Sequence, residues 1–283
     1  MMLFRRLVWC ALLVALAVGS LQWLVQRWQA VPIILAAEEF EVQKAAVPAA
    51  HEHSAEDAAH AHHHDVDWTP ADGLERSFWT WVANLLNAFA LALLVFAAMG
   101  AWVWKRGLSA GAWRLAAAIA ATGWLSLHLW PSLGLPAEVP GMEAADLHLR
   151  QLWWLLAAGS ALSACALVAL GRKTWRWAAA AAWLALPFLI GAPQLIGDPL
   201  GAFSGEAHQR LQVLGRDFIL ATHVSASLFW LSMGVVAAPV FKRWLAPLLR
   251  DASGPSAGPL PSRPALPSGE RPMYSSDEGQ TSS

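Results

Sequence analysis

The chain has 283 residues, of which 57% are hydrophobic and only 14% carry a charge, and 18 of them are tryptophans. These proportions indicate a membrane protein, and a net charge of −1 gives no sign of a nucleic-acid partner. The two cysteines, Cys10 and Cys165, lie inside apolar runs, which excludes a disulfide framework.

Six apolar runs have about the length that a helix needs to cross a bilayer, which is about 20 residues. They are residues 7–25, 82–104, 111–130, 151–171, 177–197 and 218–241. Arg114 is the one formal charge within them. The sequence therefore predicts an all-α polytopic membrane protein with about six transmembrane helices and contacts with the lipid bilayer.

The first run has two interpretations. Arg5 and Arg6, an apolar core and the small residues at Ala15–Ala17 are typical of a cleaved signal peptide. Apolar residues nevertheless continue through Val25 and return before residue 36, which favours an uncleaved anchor over residues 1–35. Cleavage would leave five spans.

The segment 36–78 contains a histidine-rich loop and the beginning of a helix that runs into the second span. Six of the 10 histidines fall within residues 51–64, among several acidic residues. Imidazole and carboxylate groups together bind divalent zinc, copper, nickel and cobalt. The loop lacks cysteine and is spaced by alanine, so we expect a low-specificity metal collector, with a solvated polar linker as the alternative. The candidate ligands are His51, His53, His60, His62, His63 and His64.

The remaining chain divides into a five-helix membrane bundle, residues 79–246, and a tail, residues 247–283, that is rich in proline, serine and glycine. Lysine and arginine cluster at alternate span ends, and 16 of the 20 acidic residues lie in the other loops. By the positive-inside rule both termini are cytoplasmic, the histidine-rich loop faces outward, and the tail is a disordered cytoplasmic segment.

A few polar residues interrupt the spans. Asn84 and Asn87 lie three apart on the second span, His128 ends the third, and His223 lies near the start of the sixth. With the predicted orientation, all of them belong to the outer part of the bilayer. Polar side chains at this depth usually face other helices, so they predict an outer vestibule. Hydrogen bonding between helices is the alternative.

The loop sequence PGMEAADLHLRQ, residues 140–151, predicts a helix that starts at its Pro-Gly pair and runs into the fourth span. Glu143, Asp146 and Arg150 would share one face, with Asp146 and Arg150 paired. One interpretation is a helix cap with a surface ion pair. The other is a carboxylate lid over the vestibule, with Glu143 and Met142 as possible metal ligands.

Several motifs resemble the CbtA family of proposed cobalt transporter subunits. They are VPIILAAEEFE, WTPADGLERSFWTWVANLL, LGLPAEVPGMEAADLHLRQLWW, LPFLIGAPQ and SASLFW, together with the histidine-rich loop. The resemblance covers residues 1–246. It implies a bacterial inner-membrane protein that supplies cobalt for cobalamin synthesis, and a small CbtB partner with one span and its own histidines.

The sequence thus predicts a non-enzyme that takes up a divalent metal as its substrate, with cobalt favoured and nickel or zinc as other possibilities. His223 would be central to a dehydrating entry site. The other expected ligands there are His128, Asn84, Asn87, Glu143 and Asp146. The chain lacks a phosphate-binding GxxxxGK[ST] loop, and no span carries Asp or Glu. Two alternatives stay open: a membrane metal buffer or sensor, and a b-type haem protein with His128 and His223 as axial ligands.

Overall fold

A computed structural model describes residues 2–46, 70–107 and 111–252. Within these ranges the chain is helical and contains no strand, which confirms the all-α polytopic class. The helices are α1 (Met2–Ala46), α2 (Leu74–Arg106), α3 (Ala112–Trp124), a π-helical turn (Leu125–Leu129), α4 (Trp130–Ser132), α5 (Leu147–Leu170), α6 (Arg176–Ile190), α7 (Gly205–Val240), a second π-helical turn (Phe241–Leu245) and α8 (Ala246–Ala252).

Four stretches of the described helices are long and apolar enough to cross a membrane. They are Met2–Glu41, Leu74–Arg106, Leu147–Leu170 and Gly205–Leu249. The other two predicted spans also lie on helices, but α6 is a shorter apolar helix and α3 is continued by a π-helical turn that carries His128. The orientation of the bundle stays a prediction.

The first helix is much longer than a membrane anchor requires. It runs without a break through Pro32 and past residue 35 to Ala46. At 1.5 Å per residue its 45 residues span roughly 68 Å, about twice the thickness of a hydrocarbon core. The far end of α1 must therefore project beyond the bilayer.

The projecting part of α1 is packed against the loops of the bundle. Ala37 is fully buried there, and it belongs to a small apolar cluster with Val139, Leu200, Leu211 and Leu214. We call this end of the molecule the cap. Arg76 near the start of α2 forms an ion pair with Glu38 of α1, so the same end also joins the first two helices.

Small side chains allow α1, α2, α3 and α7 to approach one another closely in the main core. Ala11, Ala92, Ala116 and Ala237 are all completely buried in it. A Cβ added at Gly19 of α1 would lie 3.0 Å from backbone atoms of α2. This is the packing expected of membrane helices, whose association depends on close backbone contact.

The structure contradicts two predictions about residues 140–151. Residues 142–146 form no helix, because Gly141 has a φ of 87° and α5 begins only at Leu147. The Asp146–Arg150 pair is also wrong. The Asp146 carboxylate instead accepts a hydrogen bond from the Leu149 amide as the N-cap of α5, and Arg150 pairs with Glu138 at 2.7 Å.

Candidate functional site

Three amides of α1 lie on one helical face because they are spaced four and three residues apart: Gln22, Gln26 and Gln29. The Gln22 side-chain amide donates a hydrogen bond of 2.8 Å to the hydroxyl of Ser225 on α7. Asn84 of α2 donates to the Gln26 carbonyl oxygen at 2.7 Å. Polar side chains therefore join three helices in the middle of an apolar bundle.

His128 and His223 are in direct contact on the neighbouring side of this polar region. His128 Nε2 lies 2.9 Å from His223 Nδ1, and the two rings meet edge to face with centroids 4.9 Å apart. His128 lies in the π-helical turn that follows α3. Such turns insert an extra residue per turn and are frequent at functional sites.

A cavity of about 350 Å³ opens between α1, α2, α7 and this π-helical turn. Its polar lining consists of Gln22, Gln26, Arg76, Thr80, His128, Thr222 and Ser225. Both histidines are half-buried. His128 lines the cavity, whereas His223 does not line it and contacts His128. We call this the glutamine–histidine cavity.

A basic side chain lies at the wall of the cavity on the cap side. Arg76 binds Glu38 through both of its terminal nitrogens, with Nη1 3.1 Å from Oε2. Nη1 also lies 3.4 Å from the carboxylate of Asp72. These carboxylates neutralise the guanidinium, so the cavity does not present an unpaired positive charge from Arg76.

The structure brings together only some of the residues predicted for the entry site. His128 and His223 meet, and Asn84 is buried close by, where it also donates to the Thr80 carbonyl oxygen at 2.9 Å. Asn87 is exposed on the surface of α2 and does not line the cavity. The six histidines of residues 51–64 lie outside the described residues, as does the tail beyond residue 252.

Glu143 and Asp146 lie away from the glutamine–histidine cavity. Glu143 and Met142 line a second cavity of about 340 Å³ in the cap, and Asp146 is occupied as the N-cap of α5. Asp198 lines the same second cavity. Hydrogen bonds from the Leu200 amide and from His208 hold the pKa of Asp198 below its ordinary value. Neither carboxylate of the predicted lid lines the glutamine–histidine cavity, and the lid itself stays a prediction.

Sequence reasoning missed the contribution of the first helix. Gln22 and Gln26 line the cavity, yet both lie in the segment 1–35, which the sequence predicts to be an anchor. Their spacing of four residues, extended by Gln29 three residues later, was the available signal. Ser225 carried no such signal, because isolated serines are common in membrane helices.

The described part of the chain contains no cluster of three or more His, Cys, Asp or Glu side chains that could hold a metal ion. The cavity instead offers one imidazole together with neutral amide and hydroxyl oxygens. The histidine pair does not fit a haem. Axial ligands bind iron from opposite faces of a porphyrin, whereas these two ring nitrogens contact each other directly.

An all-α bundle whose described residues include four helices long and apolar enough to cross a membrane defines a polytopic membrane protein. The chain belongs to the CbtA family, which is described as a probable cobalt transporter subunit, and the family model matches residues 4–242. The match extends from α1 through α7. No protein of curated function and no solved structure matches this chain. Family membership makes the chain a subunit of a metal transporter, which implies a partner subunit.

Proposed function

We propose that this chain takes up Co²⁺ across the bacterial inner membrane for cobalamin synthesis and that the ion enters through the glutamine–histidine cavity. The observation that carries the proposal is the contact between His128 and His223 at the wall of a polar cavity among apolar helices. Together with membership of a cobalt transporter family, this contact favours a metal-binding role over a purely structural one.

The histidine pair can present one nitrogen to a metal in a fixed orientation. A neutral histidine has one N–H and one lone pair. When His128 Nε2–H donates to His223 Nδ1, the lone pair of His128 remains on Nδ1 and is available as a ligand. Metal-binding histidines commonly use their other nitrogen in this way. We therefore assign His128 as the ligand and His223 as the residue that positions it.

Entry requires the ion to exchange some of its water for protein ligands. One water occupies about 30 Å³ of liquid volume, so a cavity of about 350 Å³ has room for an ion with several remaining waters. Thr80, Thr222 and Ser225 provide hydroxyl oxygens along its wall. A partly hydrated Co²⁺ ion could therefore bind weakly enough to move on, as transport requires.

The histidine-rich loop would act before this step. Facing the cell exterior, residues 51–64 would raise the local concentration of metal without taking part in its passage. Such a loop does not discriminate in favour of cobalt, since nickel and copper bind nitrogen and oxygen ligands more tightly. Selectivity must therefore come from the cavity, from gene regulation, or from a small single-span CbtB-like partner with histidines of its own.

The membrane potential supplies a driving force for uptake. A divalent cation that moves inward gains about 4.6 kcal/mol per 100 mV, which is roughly a two-thousandfold ratio in concentration. Because the six apolar runs of the sequence carry no Asp or Glu, a proton relay through carboxylates is not part of the proposal.

The proposal is tested by the metal content of cells with and without the gene, with cobalt, nickel and zinc each supplied singly. Cobalt content should rise with the gene, and growth that depends on cobalamin should recover at limiting cobalt. Equal cobalt content in the two strains would contradict the proposal. Cobalt binding without uptake into sealed vesicles that contain the protein and its partner would instead favour a metal buffer or sensor.

A further inference from the structure

Gln22 carries an unusual combination of burial and incomplete hydrogen bonding. Its side chain is 9% exposed, and its amide nitrogen donates to Ser225. Its carbonyl oxygen Oε1 is buried and has no hydrogen-bond partner among the described residues. A buried acceptor without a partner is unfavourable, so a position that keeps one needs an explanation.

Turning the amide over does not remove the imbalance. The Ser225 hydroxyl can both donate and accept, so it would pair with either end of the Gln22 amide and leave the other end unpaired. Gln26 differs. Asn84 Nδ2 donates both to the Thr80 carbonyl, which can only accept, and to the Gln26 oxygen. Of the two amides that line the cavity, Gln22 is therefore the one whose oxygen has no hydrogen-bond partner among the described residues.

Gln22 and His128 belong to the same cavity. Both side chains line it, and α7 contacts each of them, through Ser225 at 2.8 Å and through His223 at 2.9 Å. One helix thus holds a potential oxygen ligand from α1 and a potential nitrogen ligand from the π-helical turn. Imidazole nitrogen with neutral oxygen suits a divalent first-row transition metal.

The geometry points to Gln22 as an oxygen ligand of the transported divalent cation, with Ser225 as the residue that orients it. This inference rests on the proposed function and deepens it. It makes α1 a part of the ion site, so the site is incomplete without the first helix. Gln29 extends the series, because its Oε1 is also buried without a partner in the described part of the chain, about two turns from Gln22 toward the cap.

The test uses full-length protein in which the six histidines of the loop are replaced by serine, so that binding by the loop does not mask the cavity. Co²⁺ is titrated into this parent and its variants, with calorimetry for affinity and visible d–d absorption for the ligand environment. The variants are Gln22→Met, which keeps the length and removes the amide, and Gln22→Glu, which restores an oxygen ligand. Gln151→Met on the exposed surface of α5 is the matched control.

We expect Gln22→Met to weaken Co²⁺ binding roughly tenfold or more and to shift the d–d band. Its Tm should change little, since the variant removes an unpaired buried acceptor together with the hydrogen bond to Ser225. Gln22→Glu should bind at least as tightly as the parent, and Gln151→Met should match the parent in all respects.

Two results would overturn the assignment of Gln22. One is parental affinity and an unshifted band in Gln22→Met. The other is a lowered Tm in Gln22→Met together with no recovery of binding in Gln22→Glu, which would make Gln22 a structural link between α1 and α7. If cells carrying the unmodified gene still accumulate cobalt in either case, the proposed function stands and only the ligand assignment fails. A parent that binds no Co²⁺ would overturn the cavity site itself.

Discussion

His128 Nε2 and His223 Nδ1 lie 2.9 Å apart, and this contact joins the π-helical turn after α3 to the middle of α7. When both rings are neutral, only one of the two contacting nitrogens carries a hydrogen, so the tautomer of one ring fixes the tautomer of the other. His128 lines the cavity and His223 does not. In the proposed site the pair would act as one ligand with one support, so the two histidines should respond differently to substitution.

We expect His223→Ala to raise the cobalt concentration for half-maximal uptake by about 10–100-fold, the usual cost of losing the group that orients a metal ligand. The maximal rate should largely remain. His223→Gln retains an acceptor for His128 Nε2–H and should recover part of the affinity. Uptake kinetics at equal protein level provide the measurement. Complete loss in both variants would mean that His223 itself binds the ion.

Deletion of residues 51–64 should reduce uptake at low external cobalt and leave it nearly intact at high cobalt. A collector changes the local concentration of metal and does not change its passage through the bundle. Uptake by the deletion variant is compared with that of the intact protein over a range of cobalt concentrations. Loss of uptake at saturating cobalt, with normal insertion in the membrane, would show that the loop is part of the pathway.

Metal binding by the loop should weaken as the pH falls from about 7.5 to about 5.5. Histidine must be neutral to bind a metal, and its ordinary pKa is about 6.5, so protons displace the metal as the pH drops through that value. The loop contribution is the difference between the intact protein and the six-serine variant, measured by cobalt titration at each pH. A difference that stays constant over this range would assign the binding to the carboxylates of the loop.

Gly123→Ala should destabilise the bundle by about 1–3 kcal/mol, the usual cost of overpacking a core. A Cβ at this position in α3 would collide with the ring of Trp230 on α7, which is only 7% exposed. Gly159→Ala in α5 is the matched control, because a Cβ there meets no atom within 4 Å. Thermal unfolding in detergent compares the two. Equal melting temperatures would indicate that Trp230 moves aside without cost.

Hydropathy was sufficient to predict the helical class and the places of the helices. Most residues of each apolar run are helical, because the bilayer requires the backbone to satisfy its own hydrogen bonds, although the run 177–197 continues past the end of α6 at Ile190. The length of α1 was not predictable in this way. Beyond residue 35 it is stabilised by packing of Ala37 against distant loop residues such as Val139 and Leu200, and a local pattern does not report such contacts.

The candidate site was predictable only in part, because partners in a helical bundle depend on how helices face each other. The depth of His128 and His223 was visible in the sequence, but their contact depends on the π-helical turn, which has no sequence signature here. Asp146 has the right spacing to pair with Arg150, yet the free amides at the start of α5 compete for its carboxylate. Gln22 was overlooked because it is the one amide within its apolar run, and the series that it forms with Gln26 and Gln29 extends past the end of that run.

The central claim is that Co²⁺ passes the cavity at His128, and the initial rate of cobalt uptake in cells that produce His128→Ala tests it most directly. His148→Ala is the matched control, since His148 is exposed on the first turn of α5 and does not line the cavity. At equal protein levels, we expect His128→Ala to lose uptake at every cobalt concentration and His148→Ala to match the unmodified protein. Unchanged uptake by His128→Ala would contradict the account.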